Sequence, residues 1–307
     1  MLVRLLLPLL VLLAALPAAA APASAASRAA WLAGAQNRDG GFGAAPGTAS
    51  SQLMTGWAAL GLAAAGRNPL DVRRGGRSPV DAMRRTIAGV RDVGGIERTI
   101  LVLRAAGLNP RALAGRNLVR EVLARQRSDG SIAGYVSYTS FGIMAWRASG
   151  VPSGDRNLVR AARWLLRQQN ADGGWNVARR GGASGVDDTS YAIQALRAVG
   201  RGRSRAASRG ATFLVRRQNA DGGFPLGRSG PSNAQSTAYA VQGLVAAGRR
   251  LPRRGGRTPL RYLATLTEPS GRVRYSRTSA QTPVWVTAQV LAAMARKPFP
   301  LRPVRRR

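Results

Sequence analysis

The sequence predicts an all-α domain made of about six copies of a helix-turn-helix unit, and three observations carry that prediction. One motif recurs without a gap: Trp31-Leu32-x-x-x-Gln36-Asn37-Arg38-Asp39-Gly40-Gly41-Phe42, then Trp164-Leu165-x-x-x-Gln169-Asn170-Ala171-Asp172-Gly173-Gly174-Trp175, then Phe213-Leu214-x-x-x-Gln218-Asn219-Ala220-Asp221-Gly222-Gly223-Phe224. A weaker copy runs Gln126-Arg127-Ser128-Asp129-Gly130-Ser131-Ile132, and Gly94-Gly95-Ile96 and Gly271-Arg272-Val273 read as two further fragments. After each copy comes an apolar stretch of helical length that ends in Gly66, Gly107, Gly150, Gly200 or Gly248, with Ala295 in the sixth unit. Glycine suits the left-handed position that closes a helix. Finally, Ser78-Pro79 and Thr258-Pro259 give the first helix of their units a hydroxyl cap and a proline in the first turn. Neighbouring units of this kind bury one another's apolar faces, and periodicity alone leaves an open stack and a closed ring equally available.

In chain order, residues 1–25 read as a signal peptide, with Arg4 before an apolar run from Leu5 to Leu16 and a small-residue cleavage site at Ala23-Ser24-Ala25. The repeats occupy residues 26–297, and 298–307 form a short basic tail. No segment reaches the ~20 uninterrupted apolar residues of a membrane span. The mature chain is therefore expected to be secreted or extracytoplasmic, and not integral to a membrane. Within the units, Gln36, Gln126, Gln169 and Gln218 are placed to bond free backbone groups at the next helix start, while Phe42, Trp175 and Phe224 stack over a tight turn. Asp39, Asp129, Asp172 and Asp221 fit turn bonds to the residues that follow them.

Composition removes several chemistries. The 307 residues include no cysteine and no histidine, which excludes disulfides, cysteine nucleophiles and Ser-His-Asp triads and removes the commonest zinc ligands. No metal and no cofactor is expected. The net charge is +34, almost all from arginine, with runs such as Arg73-Arg74-Gly75-Gly76-Arg77 and Arg253-Arg254-Gly255-Gly256-Arg257. These read either as a solvated face or as contacts to an anionic cell-envelope surface. No nucleic-acid-binding motif is present, and no nucleic-acid partner is expected.

Alignment of the second helices on their terminal glycines produces columns that the turn motif leaves unexplained. Thr55, Thr139, Thr189 and Thr237 form one, and two residues later Trp57, Phe141, Tyr191 and Tyr239 form another. Leu60, Met144, Gln194 and Gln242 follow on the same helical face, with Gln289 matched to them in the sixth unit. Either this face lines a cavity suited to an apolar small molecule with a few polar handles, or it packs between the two helices of each pair.

The spacing aromatic-Leu-x-x-x-Gln followed by Asp-Gly-Gly-aromatic resembles the QW repeat of squalene and oxidosqualene cyclases and the related repeat of protein prenyltransferase β-subunits, from about Trp31 to about Met294. That resemblance implies an α/α toroid of six inner and six outer helices around a central cavity. It carries no zinc prenyltransferase site, because the cysteine and histidine ligands are missing. Gly185-Val186-Asp187-Asp188-Thr189 also resembles the D-x-D-D-T acid motif of class II terpene cyclases, with Gly185 where the first acid would stand. By that likeness Asp187 is the proton donor and Asp188 its neighbour; read from the residues alone, either is equally a helix N-cap. Three functions follow as expectations: an exported binder of an isoprenoid-like or polycyclic ligand, a small terpene cyclase or isomerase using Asp187, or an envelope scaffold for anionic polymer.

Overall fold

In the computed structural model, which describes residues 24–306, the chain forms two concentric layers of helices. The inner layer comprises α2 (Gln52–Ala64), α4 (Val93–Ala105), α6 (Val136–Ala148), α8 (Val186–Ala198), α10 (Ala234–Ala246) and α12 (Pro283–Met294). The outer layer comprises α1 (Ala25–Gly34), α3 (Pro79–Thr86), α5 (Leu118–Leu123), α7 (Arg156–Arg167), α9 (Arg205–Arg217) and α11 (Pro259–Thr265). Residues 1–23 of the expected leader lie outside the described residues; of its last two, Ser24 caps α1 through its hydroxyl and Ala25 opens the helix.

The layers differ because their sequences do. Outer helices such as α7 carry Leu158, Ala161, Trp164 and Leu165 on one face and arginine on the other. Inner helices are buried almost all round; in α2 every residue from Met54 to Ala64 is buried. Each inner helix packs on the next, and α12 packs back on α2, so the ring is closed. Gly61 makes this last contact possible, since a Cβ there would lie 2.5 Å from the Ala288 Cα. Each outer helix sits in the groove between two inner ones, with α1 bridging α12 and α2.

The repeated side chains act in the turns. Nε2 of Gln36 donates to Gly40 and Val72, that of Gln126 to Gly130 and Asn157, that of Gln169 to Gly173 and Ala206, and that of Gln218 to Gly222 and Pro252. Each glutamine thereby ties its own turn to the approach of the next outer helix. Asp39, Asp129, Asp172 and Asp221 accept from the backbone N–H two residues on. Phe42, Trp175 and Phe224 are fully buried. The threonine column is structural: Thr55, Thr139, Thr189, Thr237 and Thr287 accept from the backbone N–H of Phe42, Ile132, Trp175, Phe224 and Val273.

The structure corrects the expected repeat in two units. Gly94-Gly95-Ile96 is not a turn but lies inside α4, which Asp92 caps through Gly95 N–H. In the sixth unit the helix closes one residue later than expected, with Arg296 rather than Ala295 in the left-handed conformation at φ 51°. Because Thr287 takes the threonine position, Gln289, two residues on, belongs to the aromatic column and not with Gln194 and Gln242. Many arginines are neither idle nor free: Arg74 donates to the Gly34 and Gln36 carbonyls, Arg254 to Gln218, Arg104 to Ala148 and Arg147 to Ala198. They satisfy carbonyls left over at helix C-termini, where a cation also complements the helix dipole.

Candidate functional site

Equivalent positions of the inner helices meet in layers, so these helices run parallel, with their N-termini at one end of the ring. At that end Val136, Val186, Ala234 and Val284 donate their backbone N–H to the carbonyls of Ala178, Leu226, Tyr275 and Ala44 in the loops of the following units. Those loops form a rim, and a groove of about 480 Å³ between two of them is lined by Leu226, Asn233, Tyr275 and Arg277 among others.

Below the rim lies an aromatic layer. Trp57 meets Phe141 edge-on at 6.1 Å and Tyr239 at 6.4 Å and stacks on Trp285 at 6.0 Å, while Tyr191 lies 4.9 Å from Phe141 and 4.6 Å from Tyr239. Rings so close fill the middle of the toroid, where a central cavity was expected, and the space on the mouth side of these rings is the cup. Phe141, Tyr191 and Trp285 remain half-buried and form its wall; Trp57 and Tyr239, at 6% and 2% exposure, form its base.

The far end is sealed by residues 298–304. Phe299 is buried against Trp57 at 6.3 Å, and its N–H donates to Gln194 Oε1. Gln242 Nε2 donates to the Lys297 carbonyl, Lys297 Nζ to that of Ala64, and Asn68 Nδ2 to that of Val304. Gln194 and Gln242 thus face inward as expected, but below the aromatic layer, engaged with the chain's own C-terminal segment. Gln289 is in the layer itself: its Nε2 bonds the Tyr239 hydroxyl, and its Oε1 accepts from Gln235. What reads in sequence as a loose basic tail is a floor.

Asp187 and Asp188 occupy the first turn of α8, at the mouth. Neither makes a side-chain cap bond there, and Asp187 Oδ1 is sealed from solvent without a partner. Burial raises the Asp187 carboxyl from 3.8 to about 7, against a hydrogen bond from Ser236 and with the help of Asp188. Burial likewise raises Asp188 to about 6. Tyr191, one turn below Asp187, shares a hydrogen bond with Tyr239, and burial holds both phenols neutral. The site therefore offers a carboxylic acid that keeps its proton near neutrality above a wall of π faces.

Two members of the aromatic layer escaped the sequence reading, Trp285, which stacks on Trp57, and Arg98. Arg98 stands nine residues before Gly107 (107 − 98), as Trp57 does before Gly66 (66 − 57), and its guanidinium carbon lies 5.7 Å from the Trp57 ring centroid. The column alignment contains it, but a cation in an aromatic column does not read as wall. Among the described residues no group of histidine, cysteine or carboxylates could hold a metal ion.

Residues 90–225 match the squalene-hopene cyclase C-terminal domain, and residues 183–295 match the prenyltransferase alpha-alpha toroid domain. Together the two matches span residues 90–295, so the repeats of this chain match those of squalene-hopene cyclase and prenyltransferase toroid domains. No curated protein matches it. Among solved structures, a substituted form of the type II terpene cyclase MstE from Scytonema, in complex with its substrate geranylgeranyl dihydroxybenzoate, has a TM-score of 0.63 at 13% identity, over 89% of this chain and 95% of that one. The ent-copalyl diphosphate synthase from Streptomyces platensis has a TM-score of 0.52 at 23% identity, over 80% of this chain and 50% of that one. A structure described as a wild-type glycosidase has a TM-score of 0.58 at 16% identity, over 89% and 96%. At these identities the likeness is one of fold, and that fold occurs in proteins described by different activities.

Proposed function

We propose that the cup binds a largely apolar, isoprenoid-like ligand, laid against Phe141, Tyr191 and Trp285 over the Trp57 and Tyr239 base. The observation that carries this reading is the partial exposure of three aromatic rings, Phe141, Tyr191 and Trp285, on otherwise largely buried inner helices: such a surface gains from an apolar occupant that removes it from water. MstE, named as a type II terpene cyclase with an isoprenoid substrate, is matched over nearly its whole length by this single toroid, so one ring suffices for that protein. Mass spectrometry of small molecules carried by the natively purified protein tests the reading. An isoprenoid or polycyclic compound is expected, and an empty cup that also leaves tryptophan emission unchanged on adding polyprenyl compounds refutes it.

The raised pKa of Asp187 favours a second reading, in which Asp187 protonates an alkene and Trp57, Tyr191 and Tyr239 stabilise the resulting carbocation. Turnover of polyprenyl substrates by the native protein that disappears in Asp187→Asn supports catalysis; binding without turnover in both leaves the carrier. Export by the 1–25 leader belongs to the same proposal, supported by its charged, apolar and small-residue segments, and a reporter fused to residues 1–40 that stays in the cytoplasm refutes it.

A further inference from the structure

We propose that Arg98 anchors an oxyanion, the carboxylate or phosphate head of the ligand in the cup. This rests on the ligand-binding reading above and narrows it to isoprenoid-like molecules with an anionic head.

Arg98 makes no hydrogen bond or ion pair among the described residues. Its Nε is sealed from solvent without a partner, while the residue as a whole keeps partial exposure. The side chain is held ready for a ligand. Its stem and Nε pack 2.9–3.0 Å from where a Cβ on Gly56 would lie, so only glycine admits it, and its guanidinium stands over Trp57. A fork fixed in this way loses little freedom when it grips a carboxylate or phosphate.

No neighbouring acid forms an ion pair with it, although the charge of the Asp92 carboxylate favours its ionised form. Glu97, the adjacent residue, is wholly buried with both carboxyl oxygens unpartnered, and its Oε1 points toward Gly142 on α6 rather than into the cup. Burial lifts that carboxyl well above the usual range, so it keeps its proton and supplies no countercharge. Asp92 is engaged as the cap of α4. Asp187 and Asp188 lie two inner helices further round the ring, and burial holds both partly protonated near neutrality. The six inner helices also present their N-termini at this end, where aligned peptide dipoles favour negative charge. A desolvated cation without a partner is costly unless something pairs with it. An anionic ligand head is that partner, and it also removes the charge that would oppose a carbocation beside Trp57.

Calorimetric titration with geranylgeranyl phosphate and with geranylgeraniol decides the matter, using the native protein, Arg98→Met and Arg98→Lys. The native protein is expected to prefer the phosphate by roughly ten- to a hundredfold, the range of a charge-assisted bidentate pair. Arg98→Met should abolish that preference and leave the alcohol's affinity within about twofold, while Arg98→Lys keeps part of it. Without ligand, Arg98→Met should unfold at no lower temperature than the native protein, because it removes an unpaired buried charge. Equal affinity of the native protein for both compounds overturns the anchor and leaves the binding reading standing, as does an equal loss of both in Arg98→Met. If neither compound binds the native protein, both proposals fall.

Discussion

Replacing Asp187 with asparagine should stabilise the protein, and the gain should depend on pH. The native carboxyl holds its proton up to about pH 7, whereas in the unfolded chain it ionises near 3.8. The unfolded state therefore loses its proton first, and stability falls as pH rises from about 4 to about 7, then levels off. At 1.36 kcal/mol per unit, a rise of roughly three units sets a ceiling of about 4 kcal/mol. Asp188, raised to about 6 beside it, shares the penalty, so a recovery of about 2 to 3 kcal/mol is the working figure. For a domain of this size that corresponds to a rise in Tm of roughly 3–5 °C above about pH 7, shrinking toward zero near pH 4. Circular dichroism melts of both proteins across that range measure it, and groups that titrate alike in the two cancel from the difference. A difference independent of pH, or a lower Tm for the variant at about pH 8, would show that Asp187 ionises without penalty. The acid reading would then lose its stored proton.

Three further outcomes follow from the packing. Thr189→Val strands the buried Trp175 N–H that the hydroxyl now accepts from at 3.0 Å, and urea titration should show a loss of about 1–3 kcal/mol. Phe299→Ala removes the aromatic floor beneath Trp57 and should lower stability by about 3–5 kcal/mol while changing the near-ultraviolet dichroism of the tryptophans; an unchanged spectrum would mean that the floor does not hold the aromatic layer. Gly61→Val sets its Cβ against the Ala288 backbone at 2.5 Å, and an undiminished Tm would refute the tight closure between α2 and α12.

The parts of this fold that were legible in sequence are those whose reason is local. A glutamine four residues before a glycine, with an aspartate between them, contains nearly all the partners of its own turn, so the roles of Gln36, Gln169, Gln218 and their aspartates follow from spacing. Asp187 was legible for the same reason, as one of two adjacent acids at a helix start. What stayed hidden depends on residues far apart in the chain. Phe299 meets Gln194 across 105 positions, so no local pattern marks the tail as a floor or the glutamines as its supports. Arg98 looks like one more member of an arginine-rich composition, and only its neighbours across the ring make it exceptional. The second unit lost its glycine turn altogether, leaving Gly94-Gly95 to imitate one from inside α4.

Because α12 returns to α2, no repeat in this protein is terminal. A linear array can fray from either end, losing one nearest-neighbour interface at a time. Here the first unit to let go must break contacts on both its flanks, and the carbonyl of Ala44 loses the N–H of Val284, a link that joins the last unit to the first. Loss of order should therefore be all-or-none around the circumference, and a cut between any two repeats should cost more than one interface.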